Sequence, residues 1–478
     1  MNITAAKNLP DSTIWYYVSD LMGWRYPHLT GIQRTIVFLL NGFHEMGIEP
    51  QLVRFNPGRF RFEKLDPTEL PIQVRRYLTR TQEEAAIQDA TEGKDASLSM
   101  RDRIRNRAGQ HPMSKEAFES LLDFIRSGKN LSKKTGNWLK SKFPQVTGND
   151  PEQTTPCGFP APAFSDEQGT PCILISLSAS WGIKRHNEAL YSLKKQGFFI
   201  VRMIYDMIPS LKPHYVTQKE SSQFDIWVNE VFQHASLLLA ISEYTKKEIH
   251  RYCSLREITP PQVRVVRLGD VLDVSKSGGD SKSESQDNCP DFIPKRPFFI
   301  FVCTFHVRKN QRLAYDAWRI MLEQDRDQWP DLVFIGLTHP IVANLIDEIN
   351  RDVDVQGHVH ILSNVSDHDL KWYYQHCKAT TYPSFYEGWG LPVAESLAYG
   401  KVCIASHTTS IPEISDLPEF IDPFNVYELV AKVQRCMNDP GWLKEKEALI
   451  KERFVQTEWT HTTAQTLHYL YHDLLTRP

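Results

Sequence analysis

From about residue 297 onward the chain repeats one unit: a short, mainly apolar run, a turn, and an amphipathic helical stretch. The runs are PFFIFVC from Pro297, LVFIG from Leu332, VHIL from Val359, ATTYP from Ala379 and KVCIAS from Lys401. Between them fall helical periods such as Leu313/Ala317/Trp318/Met321 and Leu370/Tyr373/Tyr374. A strand that is apolar on both faces must be covered on both, and alternation with helices covers it: this is the signature of a parallel, doubly wound sheet. The pattern predicts one such domain over 297–455, followed by a closing amphipathic helix, TEWTHTTAQTLHYLYHDLL, over 456–478. The first part reads the same way. TIWYYVS, QLVRF, CILISL, GFFIVRMIYD, SLLLAIS and VRVVRLG form a strand series, with a helix from Gly31 to Met46. This predicts a second α/β domain over 1–270. Between the two, VSKSGGDSKSESQDNCPD is serine- and charge-rich without periodicity, so 271–296 is expected to be a flexible linker.

One stretch breaks the alternation. Residues from about 56 to 170 read as an insertion, and between Arg101 and Lys142 eleven Lys and Arg stand against four Asp and Glu. Phe118, Leu121, Leu122 and Ile125 fall on one helical face there, so the stretch suits peripheral docking on an anionic membrane, or packing of that stripe on its own domain. The whole chain of 478 residues carries a net charge of only −3, which gives no reason to expect nucleic-acid binding. No apolar run approaches the ~18–20 residues that span a bilayer. The opening MNITAAKNLPDSTIWYY lacks the basic and apolar regions of a secretory signal, so a cytoplasmic location is expected, with a peripheral site on the inner membrane face as an option. Eight scattered cysteines show no CxxC spacing, and Cys172, Cys303 and Cys403 sit in apolar runs as small core residues. The histidines lack ligand spacing, and the pairs Asp325/Asp327 and Asp352/Asp354 lie in hydrophilic stretches at expected helix ends. Neither a metal nor a cofactor is expected.

The richest segment is TYPSFYEGWGLPVAESLAYGKVCIAS. It sets Glu387 and Glu395 eight positions apart, with Gly388 and Gly390 in the turn between a strand and a helix beginning near Pro392. Proline suits a first helical turn, glycines let backbone approach a ligand, and exposed amides at a helix start attract anions. One carboxylate before the turn and one in the first helical turn can face the same cleft, which suits a ligand bearing hydroxyls and phosphates together. A dipole-stabilised acid at a helix start would explain Glu395 alone, but neither Glu387 nor the glycine pair.

EGWGLPVAE, with YPSFYEG before it, ESLAYGKVCIAS after it and IPEI around Glu413, resembles the Glu-x7-Glu signature of glycosyltransferase family 4. The resemblance implies a retaining enzyme of the GT-B fold: two Rossmann-like doubly wound domains facing each other across a cleft. It implies that Glu387 lies beside the transferred sugar, that Glu395 binds the nucleotide ribose, and that Gly388, Gly390 and Leu391 line the sugar and phosphate site. CTFHVRKN resembles the family's Gly-Thr-x-x-x-Arg-Lys-Asn, which makes Arg308 and Lys309 the cations that grip the donor diphosphate. Cys303 stands where a glycine is usual. Thr30-Gly31-Ile32 resembles the first loop, with Gly31 meeting the donor phosphates from across the cleft. IYDMIPSLKPHY resembles a His-Asp-x-x-Pro region: Asp206 and Pro209 match, while Tyr205 replaces the histidine and inherits no role from it. Asp206 is expected on the acceptor side or as a structural residue. ISEYTKKEI marks a strand–helix junction with Ser242 as the cap.

TGIQR together with YDMIP most resembles the mannosyltransferase-like branch acting on bacterial surface polysaccharides. The expected reaction is therefore hexosyl transfer, with mannose from GDP-mannose as first choice, to a glycan, a lipid-linked sugar or a lipopolysaccharide. A sugar-nucleotide epimerase or phosphorylase on the same fold, or a non-catalytic nucleotide-sugar-binding relative, would keep the same residues.

Overall fold

The computed structural model of the chain describes residues 14–25, 29, 31–78, 172–183, 185–270 and 289–475. The basic excess and apolar stripe of the expected insertion, the bulk of the linker, and Thr30 lie outside the described residues.

Each apolar run forms a strand, and the strands assemble into two sheets. The first contains β1 (Ile14–Tyr17), β2 (Gln51–Asn56), β3 (Arg61–Lys64), β4 (Ile173–Ser176), β5 (Phe199–Ile204), β6 (Leu237–Ala240) and β7 (Val263–Val265), in the order β3-β2-β1-β4-β5-β6-β7. The second contains β8 (Phe298–Val302), β9 (Asp331–Ile335), β10 (Val359–Leu362), β11 (Ala379–Tyr382), β12 (Cys403–Ser406) and β13 (Glu419–Ile421), in the order β10-β9-β8-β11-β12-β13. All neighbours pair in parallel except β2 and β3, which are antiparallel. The central strands β1, β4, β8 and β11 are buried along nearly their whole length, as double coverage requires.

The longer helices cover these sheets: α1 (Gly31–Glu45), α2 (His186–Lys195), α3 (Gln218–His234) and α4 (Glu243–Leu255) in the first lobe, and α5 (Gln311–Gln324), α6 (Ala343–Arg351), α7 (Asp367–His376), α8 (Leu391–Ala398), α9 (Val426–Asn438) and α10 (Pro440–Arg453) in the second. Local chemistry sets their starts. Thr217 and Glu220 form a capping box on α3, and Ser242 Oγ accepts from Thr245 N at 3.0 Å to cap α4. In the core of the second lobe Trp318 is fully buried and donates from its indole to Pro330 O at 2.8 Å.

The final helix α11 (Trp459–Leu470) packs on α1 of the first lobe. Gly42 allows this, since a Cβ there would stand 2.0 Å from Thr463 Oγ1. Phe38 and Trp459 meet with ring centroids 5.3 Å apart beside it.

Residues 56–78, placed by the sequence at the start of an insertion, are built into the first lobe. They finish β2, form the edge strand β3, and add a capped turn at Pro67–Glu69 and a short helix at Ile72–Arg75. Their cause is apolar: Phe62 packs on Phe55 and Tyr17, and Leu65, Leu70 and Val74 join the main core. Asn41 Nδ2 ties the end of this stretch to α1 by donating to Tyr77 O at 2.6 Å.

Candidate active site

In an open α/β sheet, ligands sit outside the carboxyl ends of strands where the strand order reverses. In the second sheet this switch lies between β8 and β11, because β9 and β10 run out from β8 on one side and β12 and β13 from β11 on the other. The two loops that leave these strands are CTFHVRKN and the PSFYEGWG turn. They are stapled together. Asn310, in the left-handed region with φ of 62°, donates through Nδ2 to Pro383 O at 3.1 Å and to Pro423 O at 2.8 Å. Phe385 N donates to Arg308 O at 2.8 Å. Ser410 Oγ donates to the carbonyls of Glu387 and Trp389.

This framework brings Arg308, Lys309 and Glu387 into direct contact. Arg308 Nη1 donates to Glu387 Oε2 at 2.6 Å and to Tyr386 O at 3.0 Å. Lys309 Nζ donates to Glu387 Oε1 at 2.6 Å and to the Tyr382 hydroxyl at 2.7 Å. Burial alone would raise the Glu387 carboxyl, but the Arg308 and Lys309 charges overturn that and hold it at about 2. Burial and the neighbouring Arg308 lower the Lys309 ammonium, with Glu387 pulling the other way. Burial works against charge on Arg308, and Glu387 and Asp206 outweigh it, so the guanidinium is held charged. Arg308 and Lys309 thus outnumber Glu387 on this wall, with Asp206 facing them from the first lobe. Lysine offers three donors and arginine five, so each retains N–H groups beyond those that hold Glu387.

The first lobe supplies the opposite wall. Asp206, two residues past β5, accepts from Ile208 N at 3.0 Å. Its burial raises the carboxyl, against the pull of Arg308. Gly31 opens α1 with space for a Cβ only 4.0 Å from Leu391 across the gap. The lobes touch closely at one point: a Cβ on Gly388 would stand 2.0 Å from Tyr205 O. Gly388 thus allows backbone of the two lobes to approach, and it lines the cavity between them as well. Gly390, with φ of 120°, needs glycine for its conformation. Glu413 joins the lobes as well, accepting from Glu243 N and Tyr244 N at the start of α4 at 2.8 and 2.6 Å.

Glu395 departs from expectation in one respect. It is the fifth residue of α8, one turn deeper than the exposed amides, so the helix start does little to hold its charge. Side chains do that instead. Tyr374 OH donates to Oε2 and Arg34 Nη1 to Oε1, both at 2.8 Å. Burial raises this carboxyl, with Arg34 and Tyr374 acting against it.

All nine residues singled out from the sequence, Gly31, Asp206, Arg308, Lys309, Glu387, Gly388, Gly390, Leu391 and Glu395, line one cavity of about 480 Å³. Cys303 lines it too, and its place beside close backbone is made possible from the other side: Gly336, with φ of 151°, would carry a Cβ 2.0 Å from Cys303 O. Sequence reasoning missed Arg34 and Asp367, which line the same cavity, and the bridging role of Glu413. The Asp pairs lie elsewhere. Asp325 and Asp352 follow the last turns of α5 and α6, and Asp352 is held by Tyr315 and Arg319. No cluster with metal-ligand composition occurs among the described residues. No helix among them is long and apolar enough to cross a membrane.

Two doubly wound lobes, with a basic pair and two acids at the switch point of the second, have the architecture of the GT-B fold. Residues 283–454, which span the second sheet, match the family described as glycosyl transferases group 1. The O-antigen chain mannosyltransferase B of Escherichia coli is 23% identical over 304 residues, 60% of this chain and 76% of that protein. The serotype-specific mannosyltransferase WbdA of Escherichia coli is 22% identical over 266 residues, and the match spans 55% of this chain but only 32% of the relative. The solved glycosyltransferase from Rickettsia africae ESF-5 shares the fold over 98% of this chain and 99% of its own, with a TM-score of 0.52 and 13% identity.

Proposed function

We propose that the chain is a retaining hexosyltransferase that moves mannose from GDP-mannose to a growing bacterial surface glycan or its lipid-linked precursor. The observation that carries this is the joint grip of Arg308 and Lys309 on Glu387 at the ends of β8 and β11, facing Asp206 and Gly31. In this reading the donor diphosphate takes the spare N–H groups of Arg308 and Lys309, while Glu387 supports the sugar. The acceptor hydroxyl attacks the anomeric carbon on the face from which the diphosphate departs. One C–O bond forms, the bond to phosphate breaks, and the acceptor's proton passes to the departing phosphate oxygen. Fixed cations stabilise the charge that develops there. Support for mannose comes from the names of the two Escherichia coli relatives and from TGIQR and YDMIP.

The test incubates the protein with GDP-mannose, UDP-glucose and UDP-N-acetylglucosamine, each alone and with a mannose-terminated acceptor, and reads the anomeric proton of the product by NMR. The expected result is an α-linked mannoside from GDP-mannose only, and no change of donor without acceptor. A β-product would end the retaining assignment, and conversion of donor alone would favour an epimerase.

We further propose that the basic stretch between Arg101 and Lys142 brings the enzyme to an anionic membrane, at about 1 kcal/mol per basic residue near the surface. Co-flotation is expected with vesicles containing anionic lipid and not with neutral vesicles; equal recovery with both would refute the docking.

A further inference from the structure

Arg34 belongs to the first lobe, on the first turn of α1, yet its strongest partner is Glu395 in the second lobe. The guanidinium is fixed from three sides. Nη1 donates to Glu395 Oε1 at 2.8 Å, Nη2 reaches Asp367 Oδ1 at 3.4 Å, and Nε donates to Leu29 O at 3.1 Å. Asp367 is itself held by the Tyr77 hydroxyl at 2.6 Å. The other Glu395 oxygen accepts from Tyr374.

These contacts leave a particular shape. Each carboxylate oxygen has two lone pairs. Arg34 uses one on Oε1 and Tyr374 one on Oε2, so each oxygen keeps acceptor capacity, and Glu395 lines the cavity. Two adjacent acceptors match two adjacent hydroxyls. Without its two donors this buried carboxylate would lose the groups that orient it.

We propose that Arg34 is a donor-positioning residue: it reaches across the cleft to hold Glu395 as an oriented, ionised acceptor for the vicinal 2′- and 3′-hydroxyls of the nucleotide ribose. The inference rests on the reading of Glu395 as the ribose-facing acid. It goes beyond that reading because it places a support of the ribose-facing acid in the first lobe, across the cleft from Glu395. Donor affinity then depends on the two lobes being together, since only the closed arrangement supplies Arg34.

The test measures binding of GDP, UDP and their 2′,3′-dideoxy forms to the whole protein by calorimetry. A hydrogen bond to a charged group contributes roughly 1.5–3 kcal/mol, so the unaltered protein is expected to prefer the ribo form of the nucleotide it binds better by about ten-fold or more. Arg34→Gln should weaken that ribo form by about ten-fold and leave the dideoxy form within about two-fold, with Arg34→Lys recovering part of the preference. Tyr374→Phe, acting on the same carboxylate from the second lobe, should show the same selective loss. An equal loss of both forms in Arg34→Gln, or a loss of neither, would overturn the assignment. If the unaltered protein and Glu395→Gln bind ribo and dideoxy forms alike, the reading of Glu395 fails instead, which separates the two outcomes. A merely structural Arg34 would shift the melting temperature without touching the hydroxyl preference.

Discussion

Arg308→Ala is expected to lower kcat by about 100- to 1000-fold, the range seen when one fixed donor to a developing oxyanion is removed. The expectation follows from where charge appears. In the proposed reaction the departing diphosphate oxygen gains negative charge beside Arg308 and Lys309, and only interactions that strengthen at that moment accelerate the step. Arg308 suits the test better than Lys309. Its side chain is 22% exposed against 10% for Lys309, and Glu387 keeps Lys309 and Tyr382 nearby when the guanidinium is gone. The Glu387 charge is therefore not stranded, and the loss of about 3–5 kcal/mol that follows an uncompensated buried charge is avoided. Far-UV circular dichroism and a cooperative melt should stay close to those of the unaltered protein. Lys309→Ala should lower kcat comparably but also depress the melting temperature, since it opens a void beside Tyr382. Arg308→Lys should recover little, because a single ammonium cannot hold Tyr386 O and Glu387 with the guanidinium's geometry. Wild-type-like transfer by a folded Arg308→Ala protein would remove the central assignment.

Most of the architecture was legible because strands buried on both faces leave an uninterrupted apolar record. FFIFV and LLLA can be little else when helical periods stand between them. The elements that escaped are those without such a record. β3 is RFEK, with one fully buried residue and an antiparallel partner at the sheet edge, and β13 has three residues. Local polarity hid both, and only packing on Phe55 or pairing with β12 reveals them.

The site divides along the same line. Arg308, Lys309, Glu387 and Glu395 stand in compact motifs at strand ends, where backbone chemistry and resemblance act together. Arg34 lies in RTIVFLLNGF, which reads as the start of an ordinary amphipathic helix, and its partner is 361 residues away. Glu413 has partners 169 and 170 residues away. TGIQR and IPEI mark the neighbourhoods of Arg34 and Glu413, but nothing local names their partners, because the contacts arise only when the lobes meet.

That dependence on approach makes Gly388→Ala the second substitution with a large expected effect. The added Cβ would stand 2.0 Å from Tyr205 O and 3.1 Å from Asp206 Cβ. The first obstacle is backbone at the end of a buried strand, so no side-chain rotation relieves it, and the lobes must move apart. Thr245 Oγ1, which reaches both Tyr205 O and Gly388 O, would lose its bridging position. A displacement of about 1 Å between reacting groups can cost about 100-fold, and that loss is expected in kcat/KM. The Glu387 carboxylate, anchored from its own lobe by Arg308 and Lys309, should persist. Binding of a nucleoside diphosphate should therefore weaken mainly in its preference for ribose hydroxyls, which depends on Arg34, and little in its hold on the phosphates. Small-angle scattering should show a larger radius of gyration. A variant with full activity and an unchanged radius would mean that the gap at Gly388 closes by sliding elsewhere, and that backbone contact between the lobes is not what assembles the site.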